Sequence, residues 1–255
     1  MTHPYLVGTR HPRVLAHRGL VSTAGGDSAV WENTAAAFAA AHAAGVEYIE
    51  TDCQLTADGD VVLFHDDTLE RVASDSRRVC DVRTAELTEL FADHGGLLTV
   101  ADALDAFPDT RFNIDVKTPA AAEPIGALLA PHTDRVLVTS FSDRTRRAAV
   151  DATMRAGAAH RPATSGGRAT ILAVRSLTTL RLSPAHALKD IDALQIPERH
   201  GGVRIVTPAL LRAAARCAVE VHVWTINDPE QMQRLVRAGA DGIVTDRADL
   251  ALRTL

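Results

Sequence analysis

Two carboxylates stand two residues apart in one apolar run of the chain. Glu50 and Asp52 lie in the run Tyr48–Cys53, and in a β-strand the side chains of residues i and i+2 leave the same face. Both faces of a parallel strand are buried, and two adjacent ionised carboxylates are costly there unless a cation lies between them. The pair therefore predicts a cation site at the end of a buried strand.

Other polar residues follow apolar runs in the same way, at the predicted carboxyl ends of strands: His17, Arg18, His65, Asp115 and Lys117. Three carboxylates with no cysteine among them suit Mg²⁺ or Ca²⁺ rather than zinc. Two histidines suit general acid and base catalysis near neutral pH, and an arginine and a lysine suit an anionic phosphoryl group. The set indicates metal-assisted chemistry on a phosphate ester.

Alternating strands and helices must position this set. The strands are predicted at short apolar runs: Val14–Ala16, Tyr48–Cys53, Val61–Phe64, Phe112–Val116, Val136–Thr139, Ala193–Ile196, Val219–Ile226 and Gly242–Val244. Helical patterns lie between several of them: Thr34–Ala44, Val100–Ala106, Pro208–Cys217 and 228–238. The loosest stretches are Ser22–Ser28 and Arg161–Arg168. This alternation favours a parallel sheet with helices outside.

A weak internal repeat helps to choose the architecture. Residues 44–52 and 238–246 each combine a helix end, a glycine and a strand that finishes in Thr-Asp. At roughly 30 residues for each strand–helix unit, an eight-unit TIM barrel fits the length. A doubly wound open sheet is the alternative, and it lacks a glycine-rich phosphate fingerprint here. We predict one TIM-barrel domain over residues 1–255, with its polar set at the C-terminal rim.

Two further polar residues receive structural interpretations. Asp246 occupies the position in the second repeat that Asp52 occupies in the first, but no other candidate ligand accompanies it. We expect it to cap the final helix. His222 precedes Trp224 by two residues on the same strand face, and we expect a buried, hydrogen-bonded interior histidine.

Composition and charge narrow the classes of function. The chain has 255 residues, of which 46% are hydrophobic and 23% charged, so wholesale disorder is excluded. The net charge is −5, and the charge is divided unevenly. Residues 1–128 carry 9 basic and 20 acidic side chains, whereas residues 129–255 carry 18 and 12. A nucleic-acid-binding domain is usually basic throughout, so no nucleic-acid partner is expected.

Cysteine usage and the apolar runs predict the compartment. The three cysteines, Cys53, Cys80 and Cys217, show no CxxC spacing and cannot all pair, which favours reduced thiols in the cytoplasm. No run approaches the roughly 18–20 apolar residues of a membrane-spanning helix, and residues 1–13 lack the apolar core of a signal peptide. A cytoplasmic protein without stable membrane insertion is expected.

An ordered series of motifs resembles one known family. The motifs are Leu15-Ala16-His17-Arg18-Gly19, Glu32-Asn33-Thr34, Ile49-Glu50-Thr51-Asp52, Thr56-Ala57-Asp58-Gly59, Val62-Leu63-Phe64-His65-Asp66, Asn113-Ile114-Asp115-Val116-Lys117, Ser140-Phe141, Val223-Trp224-Thr225-Ile226-Asn227 and 239–246. Their combination is similar to the glycerophosphodiester phosphodiesterase family. The likeness is dense over residues 14–117 and 219–250 and thin over 145–215.

The resemblance implies a TIM barrel that hydrolyses a glycerophosphodiester to glycerol 3-phosphate and an alcohol. It assigns roles to the matching positions: catalytic acid and base to His17 and His65, phosphate contacts to Arg18 and Lys117, metal binding to Glu50, Asp52 and Asp115, a place at the mouth to Trp224 and an orienting role to Asn33. The implied cofactor is a divalent cation, Mg²⁺ or Ca²⁺, with Mn²⁺ as a further candidate. Which histidine is the acid stays open.

The chain departs from the family pattern at two places. Asp115 stands where the family commonly has a glutamate, so its side chain is one methylene shorter. Trp31 replaces the proline that usually precedes Glu-Asn-Thr, and the loop before it, 22–30, is longer than expected at the mouth of the barrel. A small insertion that caps the site is expected over approximately residues 66–98.

Two alternatives to this function stay open at the sequence level. One is a lysophospholipase D-like hydrolase acting on larger lipid esters, for which a wide apolar mouth would argue. The other is a non-catalytic barrel that binds phosphate ligands or polyanions, for which Asp115 and the basic stretch Arg144–Lys189 argue. The expected partner is a small-molecule glycerophosphodiester, and the oligomeric state is left open.

Overall fold

Eight parallel strands form the centre of the molecule in a computed structural model that describes residues 2–21 and 29–255. The predicted loop Ser22–Ser28 lies outside the described residues. The strands of the barrel are β1 (Arg13–His17), β2 (Tyr48–Leu55), β4 (Arg111–Val116), β5 (Val136–Thr139), β6 (Ala163–Thr164), β7 (Ala193–Pro197), β10 (Glu220–Trp224) and β11 (Gly242–Thr245). Their order around the sheet is β6-β5-β4-β2-β1-β11-β10-β7.

The sheet closes between its first and last strands. Ser165, directly after β6, forms a parallel bridge with Ala193 of β7, and the amide of Asp192 donates to the carbonyl of Thr164 at 2.9 Å. These contacts join the two edge strands of the sheet. The result is a nearly closed eight-stranded barrel. The TIM-barrel prediction is confirmed, and the open doubly wound sheet is wrong.

Ten α-helices are described, most of them outside the barrel: α1 (Ala35–Ala43), α2 (Glu70–Ala73), α3 (Thr84–Phe91), α4 (Val100–Ala106), α5 (Pro124–Leu129), α6 (Asp143–Arg155), α7 (Arg168–Thr179), α8 (Pro208–Arg216), α9 (Pro229–Arg237) and α10 (Ala248–Thr254). Side chains at the N-cap fix several starts, because they accept hydrogen bonds from otherwise unpaired amides. Thr34 caps α1, Thr99 and Asp102 form a capping box on α4, and Asp228 caps α9.

The apolar core has a layer on each side of the strands. The larger layer lies between strands and helices and includes Ile49, Phe112 and Val223, all fully buried or nearly so. A smaller cluster fills the barrel near the amino ends of its strands and includes Tyr5 and Tyr48. None of the described helices combines the length and the apolar character needed to cross a membrane.

One predicted barrel strand is not part of the barrel. β3 (Val61–Leu63) pairs antiparallel with β2, with Cys53 opposite Leu63. The chain reverses at Thr56–Gly59, where Gly59 has a φ of +93° that favours glycine and Asp60 accepts from Thr56. A run of three apolar residues does not distinguish a parallel strand from the return arm of a hairpin, which is why the prediction was wrong.

The segment between β3 and β4 has its own apolar cluster, which includes Val62, Leu69, Leu87 and Phe91. This cluster holds α2 and α3 together above the barrel. The boundaries 66–98 given for the insertion stay a prediction.

The short strands of the thinly patterned region, like helix α7, were not predicted. β6 has only two residues and lies in the stretch Arg161–Arg168, which the sequence indicated as a loose segment. A small antiparallel hairpin, β8 (Arg199–His200) and β9 (Val203–Arg204), follows β7. Strands this short carry too few alternating residues to give a detectable period.

Candidate active site

The carboxyl ends of β2 and β4 bring the predicted anionic residues together. Asp52 of β2 and Asp115 of β4 are paired across the sheet, and the Lys117 ammonium lies 2.7 Å from an oxygen of each. Asp52 and Asp115 are 1% and 5% exposed. Glu50, two residues before Asp52, lines a cavity at the C-terminal rim of the barrel together with these three residues. The i, i+2 spacing therefore places these side chains on one wall of the site.

Two residues with positive φ complete this wall. Arg18 (φ +57°) follows β1 and Asn33 (φ +59°) precedes α1, and a backbone hydrogen bond of 2.9 Å joins them. Arg18 Nε lies 3.0 Å from Asp52 Oδ2, and Asn33 Nδ2 donates to the same oxygen at 3.2 Å. Positive φ is unfavourable for arginine and better tolerated by asparagine, and backbone strain of the kind at Arg18 is frequent at functional sites.

Burial and charge give the carboxyl groups different pKa values. Burial, together with the neighbouring charge of Asp52, raises the pKa of Glu50 to about 8. Burial also raises the pKa of Asp115, whereas the cations Lys117 and Arg18 outweigh burial at Asp52 and lower its pKa. Burial opposes the charge of Lys117, but Asp52 and Asp115 outweigh it and raise the pKa of the ammonium. Glu50 is the carboxyl group least compensated by positive charge.

His17 is held by a carboxylate that the sequence analysis placed elsewhere. Its Nδ1 lies 2.6 Å from Asp246 Oδ1, and Asn227 donates to the other oxygen of Asp246 at 2.7 Å. Burial opposes protonation of the imidazole, but the hydrogen bond to Asp246 and the charge of Glu50 outweigh it and raise the pKa of His17. The imidazole is thereby oriented, with Nε2 3.9 Å from Glu50 Oε2.

The interpretation of Asp246 as a helix cap is wrong. The residue at the N-cap of α10 is Arg247, and it makes no side-chain cap. The signal that could have found Asp246 was the internal repeat, since it matches Asp52 in position. Parallel strands β1 and β11 are neighbours, so His17 at the end of β1 and Asp246 just after β11 meet at one rim.

His65 reaches the same cavity from the hairpin rather than from a barrel strand. It follows β3 by two residues, and its Nδ1 lies 2.6 Å from Asp66 Oδ1. Asp66 is itself held by Arg71 Nε at 2.6 Å. The prediction that His65 ends a parallel strand is therefore wrong in its element, because β3 runs antiparallel. Both histidines nevertheless line one cavity, and each has a carboxylate at Nδ1.

The cavity at the C-terminal rim has a volume of about 360 Å³ and two unlike walls. One wall carries the charged residues already described. The other is largely apolar and includes Phe141, Ile171, Leu172, Ile205 and Trp224. The Trp224 ring packs edge-on against Phe141, with 6.1 Å between ring centroids. The structure thus brings all eight predicted site residues to one cavity; the role of each stays a prediction.

The acidic residues of the cavity offer oxygen atoms to a divalent cation. Glu50 Oε2 and Asp115 Oδ1 are buried oxygens without a hydrogen-bond partner, and a hard cation prefers such oxygen ligands. Lys117 lies between Asp52 and Asp115, and no group of three or more His, Cys, Asp or Glu side chains in residues 2–21 and 29–255 is arranged as a complete metal site. The unpaired oxygens and the uncompensated Glu50 fit a cation.

Glu50, Asp52 and Asp115 form an acidic cluster at the C-terminal rim. A barrel that combines such a cluster with an arginine, a lysine and two imidazoles held by carboxylates is typical of a hydrolase of phosphate esters. Residues 17–250 match the model of the glycerophosphoryl diester phosphodiesterase family. The chain belongs to this family.

Individual relatives agree with this membership. The chain is 38% identical over 244 residues to a Mycobacterium tuberculosis protein named "Probable glycerophosphodiester phosphodiesterase 2", covering 92% of this chain and 88% of that one. The fold is similar to that of a glycerophosphodiester phosphodiesterase from Thermotoga maritima, with a TM-score of 0.71, 24% identity and coverage of 96% and 99%. It is also similar to an Oleispira antarctica phosphodiesterase solved with sn-glycerol 3-phosphate, with a TM-score of 0.72, 22% identity and 96% coverage of both chains.

The family resemblance and the assignment as an enzyme are confirmed, and the non-catalytic barrel loses its support. Members of the family generally depend on a divalent cation. The comparisons leave the identity of that ion and the individual site residues as predictions.

Proposed function

We propose that this protein hydrolyses a glycerophosphodiester to glycerol 3-phosphate and an alcohol, with a divalent cation and two histidines that transfer protons. One observation carries the proposal: His17 and His65 are each oriented by a carboxylate at Nδ1, and both face the cavity that holds the acidic cluster. An imidazole oriented in this way keeps Nε2 for the reacting proton.

The cations of the charged wall would bind the phosphodiester. Arg18 and Lys117 are half-buried and lie against Asp52, so their charges are fixed in place before a substrate arrives. Fixed charges that face the non-bridging oxygens stabilise the charge that develops there without having to reorganise.

Glu50, Asp52 and Asp115 would hold the divalent cation, Mg²⁺ or Ca²⁺, with Mn²⁺ as a further candidate. When bound, the cation supplies positive charge that polarises the phosphoryl group. Asp115 is short, and its Oδ2 is already bonded to Lys117, so Oδ1 is the oxygen it offers.

His17 and His65 would divide the proton transfers. One accepts the proton of the attacking hydroxyl, from water or from the substrate glycerol, and the other donates a proton to the oxygen of the departing alcohol. His17 is the last residue of β1 and His65 follows β3, so the two imidazoles reach the cavity from different elements and would contact different oxygens of a phosphodiester.

The test combines metal removal with histidine variants. Hydrolysis of a panel of glycerophosphodiesters should stop in EDTA and return with Mg²⁺, Mn²⁺ or Ca²⁺. His17→Ala and His65→Ala should each lower kcat by roughly 10²–10⁴-fold. His186→Ala, an exposed histidine outside the cavity, is the matched control and should keep full activity. Folded His17→Ala and His65→Ala variants with wild-type rates would exclude the proposed mechanism.

The lysophospholipase D-like alternative has one observation in its favour. Phe141 and Leu172 at the mouth are 45% and 64% exposed, and an acyl chain could lie against them. Lysophosphatidylcholine and glycerophosphocholine share a head group and differ in the acyl chain, so their kcat/KM ratio isolates this contact. A ratio above one favours the alternative, and a ratio well below one favours the small diester.

A further inference from the structure

The wall opposite the acidic cluster contains a buried donor without a partner. Gln195 of β7 is 8% exposed, lines the cavity, and its Nε2 has no hydrogen-bond partner among the described residues. A buried donor without a partner destabilises the protein, so such a group at the lining of a cavity indicates a ligand atom that pairs with it. Sequence reasoning did not identify Gln195.

The topology places Gln195 directly across the barrel from the acidic residues. In the strand order, β7 lies four strands from β2 in either direction. Ala193, Gln195 and Pro197 alternate toward the interior, as Glu50 and Asp52 do on β2. A phosphodiester bound at the charged wall therefore directs one of its two organic arms toward β7.

The geometry of in-line displacement indicates which organic arm of the phosphodiester is directed toward β7. The attacking and leaving oxygens of a transferred phosphoryl group lie roughly on opposite sides of phosphorus. The leaving oxygen stays at phosphorus, within reach of the histidine that donates its proton, and the rest of the departing alcohol extends away from the nucleophile toward Gln195. This step rests on the proposed function.

The cavity wall that carries Gln195, opposite the acidic cluster, is called the second wall, and its charge is positive. Arg168, at the first position of α7, lines the cavity and lies 4.8 Å from the centroid of the Phe141 ring. Among the described residues it has no carboxylate within 4 Å, and His200 of the hairpin also lines this wall. The nearby carboxylate of Asp143 is used by Gly167 and Thr170, to which it is hydrogen-bonded at the start of α7.

The hairpin side of this wall is fixed by ion pairs. Glu198, directly after β7, accepts from Gln231 at 2.6 Å and from Arg234 at 2.8 Å, and its carbonyl accepts from Ile205. Ile205 is thereby held at the rim of the cavity. The wall is thus prearranged around Gln195 rather than formed by loose loops.

We propose that this second wall is the subsite for the departing alcohol and that it selects neutral or anionic alcohols with hydrogen-bond acceptors over cationic ones such as choline. An amide N–H and a guanidinium both require acceptors or negative charge. The Phe141 ring would otherwise attract a quaternary ammonium, but Arg168 and Lys117 already lie 4.8 and 5.5 Å from its centroid. No Asp or Glu other than the acidic cluster itself lines the described cavity.

The experiment compares kcat/KM for three diesters: glycerophosphoglycerol (neutral alcohol), glycerophosphoinositol 4-phosphate (anionic) and glycerophosphocholine (cationic). The wild type should prefer glycerophosphoglycerol to glycerophosphocholine by about tenfold or more. Gln195→Leu should lower this ratio about tenfold, and Gln195→Glu and Arg168→Glu should bring it to or below one. Arg212→Glu, the same charge change on the exposed face of α8, should leave it unchanged.

Two results overturn the proposal. One is a ratio within twofold of wild type in Gln195→Leu, Gln195→Glu and Arg168→Glu. The other is an equal loss for all three diesters, which would place these side chains on the phosphate or the glycerol. Calorimetric binding of the same diesters to the His65→Ala variant ranks the alcohols without turnover. A wild type that binds them in the expected order but hydrolyses none would refute the proposed function while supporting the subsite.

Discussion

The two ends of the barrel hold their buried charges in opposite ways. At the amino ends of the strands, the Arg13 guanidinium contacts both oxygens of Glu220, at 2.6 and 2.7 Å, and donates to the Tyr48 hydroxyl and the Leu6 carbonyl. At the carboxyl ends, Glu50 lies beside the carboxylates of the cluster with one buried oxygen unpaired. One end satisfies its charges and the other does not.

The pKa values follow this difference. Burial alone would raise the pKa of Glu220, but hydrogen bonds from Arg13 and His222 outweigh it and lower the pKa to about 2. At Glu50 no such donor compensates for burial, and its pKa is raised to about 8. The comparison shows that the amino end is arranged for stability, whereas the carboxyl end keeps a strained charge arrangement that a ligand can relieve.

The largest expected effect is at the stable end. Glu220→Ala leaves Arg13, which is 4% exposed, as a buried charge without a carboxylate. Removing one partner of a buried pair costs about 3–5 kcal/mol, so the urea midpoint should fall strongly. The kcat of the protein that remains folded should stay within about twofold of wild type, since Glu220 is remote from the cavity.

A matched variant tests whether burial is the cause. Glu123→Ala breaks an exposed pair with Arg155, and exposed pairs are worth about 0–1 kcal/mol. If Glu220→Ala lowers the free energy of unfolding by no more than Glu123→Ala does, the Arg13–Glu220 pair does not provide the stability assigned to the amino end.

At the opposite end, Asp246→Ala should lower activity rather than stability. The variant removes the carboxylate that orients His17, and loss of such an orienting partner typically costs about 10–100-fold. The loss should fall on kcat with KM nearly unchanged, and Asp246→Asn should recover part of it. Asp249→Ala, a half-buried carboxylate on α10 that does not line the cavity, is the control. An Asp246→Ala enzyme with wild-type kcat would show that His17 needs no such partner.

The sequence alone predicted that Glu50 lies beside Asp52 and that Asp115 lies beside Lys117, because each pair is two residues apart on one strand or at its end. The spacing of Glu50 and Asp52, and of Asp115 and Lys117, determines which face they share before any fold is known. The same rule identified His222 as an interior histidine, and it is fully buried beside Glu220.

The residues that were missed depend on contacts between distant elements. Asp246 reaches His17 only because β11 pairs with β1, 229 residues away along the chain. The position of Gln195 across from the acidic cluster depends on closure of the barrel, which places β7 opposite β2. A single glutamine in an apolar run has no local pattern that separates a ligand contact from an ordinary interior residue.

The third expected effect is a gain of stability at the active end. In EDTA-treated protein, Glu50→Gln replaces the uncompensated carboxyl group by a neutral side chain of the same shape, so the free energy of unfolding should rise by about 1–2 kcal/mol. Activity with any cation restored should be largely lost. Denaturant unfolding at pH 8 measures the change, with Glu47→Gln, an exposed glutamate, as control. A less stable Glu50→Gln protein would mean that the carboxylate is already compensated.

The smallest expected effect is a pH dependence of the free energy of unfolding, and it arises at the amino end. The folded pKa of Glu220, about 2, lies below its ordinary value of 4.5, so between these values the unfolded state binds more protons. Its contribution is therefore present in full above pH 4.5 and is lost as the pH falls toward 2. Glu220→Gln keeps one oxygen that accepts from Arg13, so unlike Glu220→Ala it should be only about 1 kcal/mol less stable than wild type at pH 7, and the difference should shrink steadily through this window. A difference that is constant from pH 7 to pH 2.5 would show that the Glu220 charge does not stabilise the amino end.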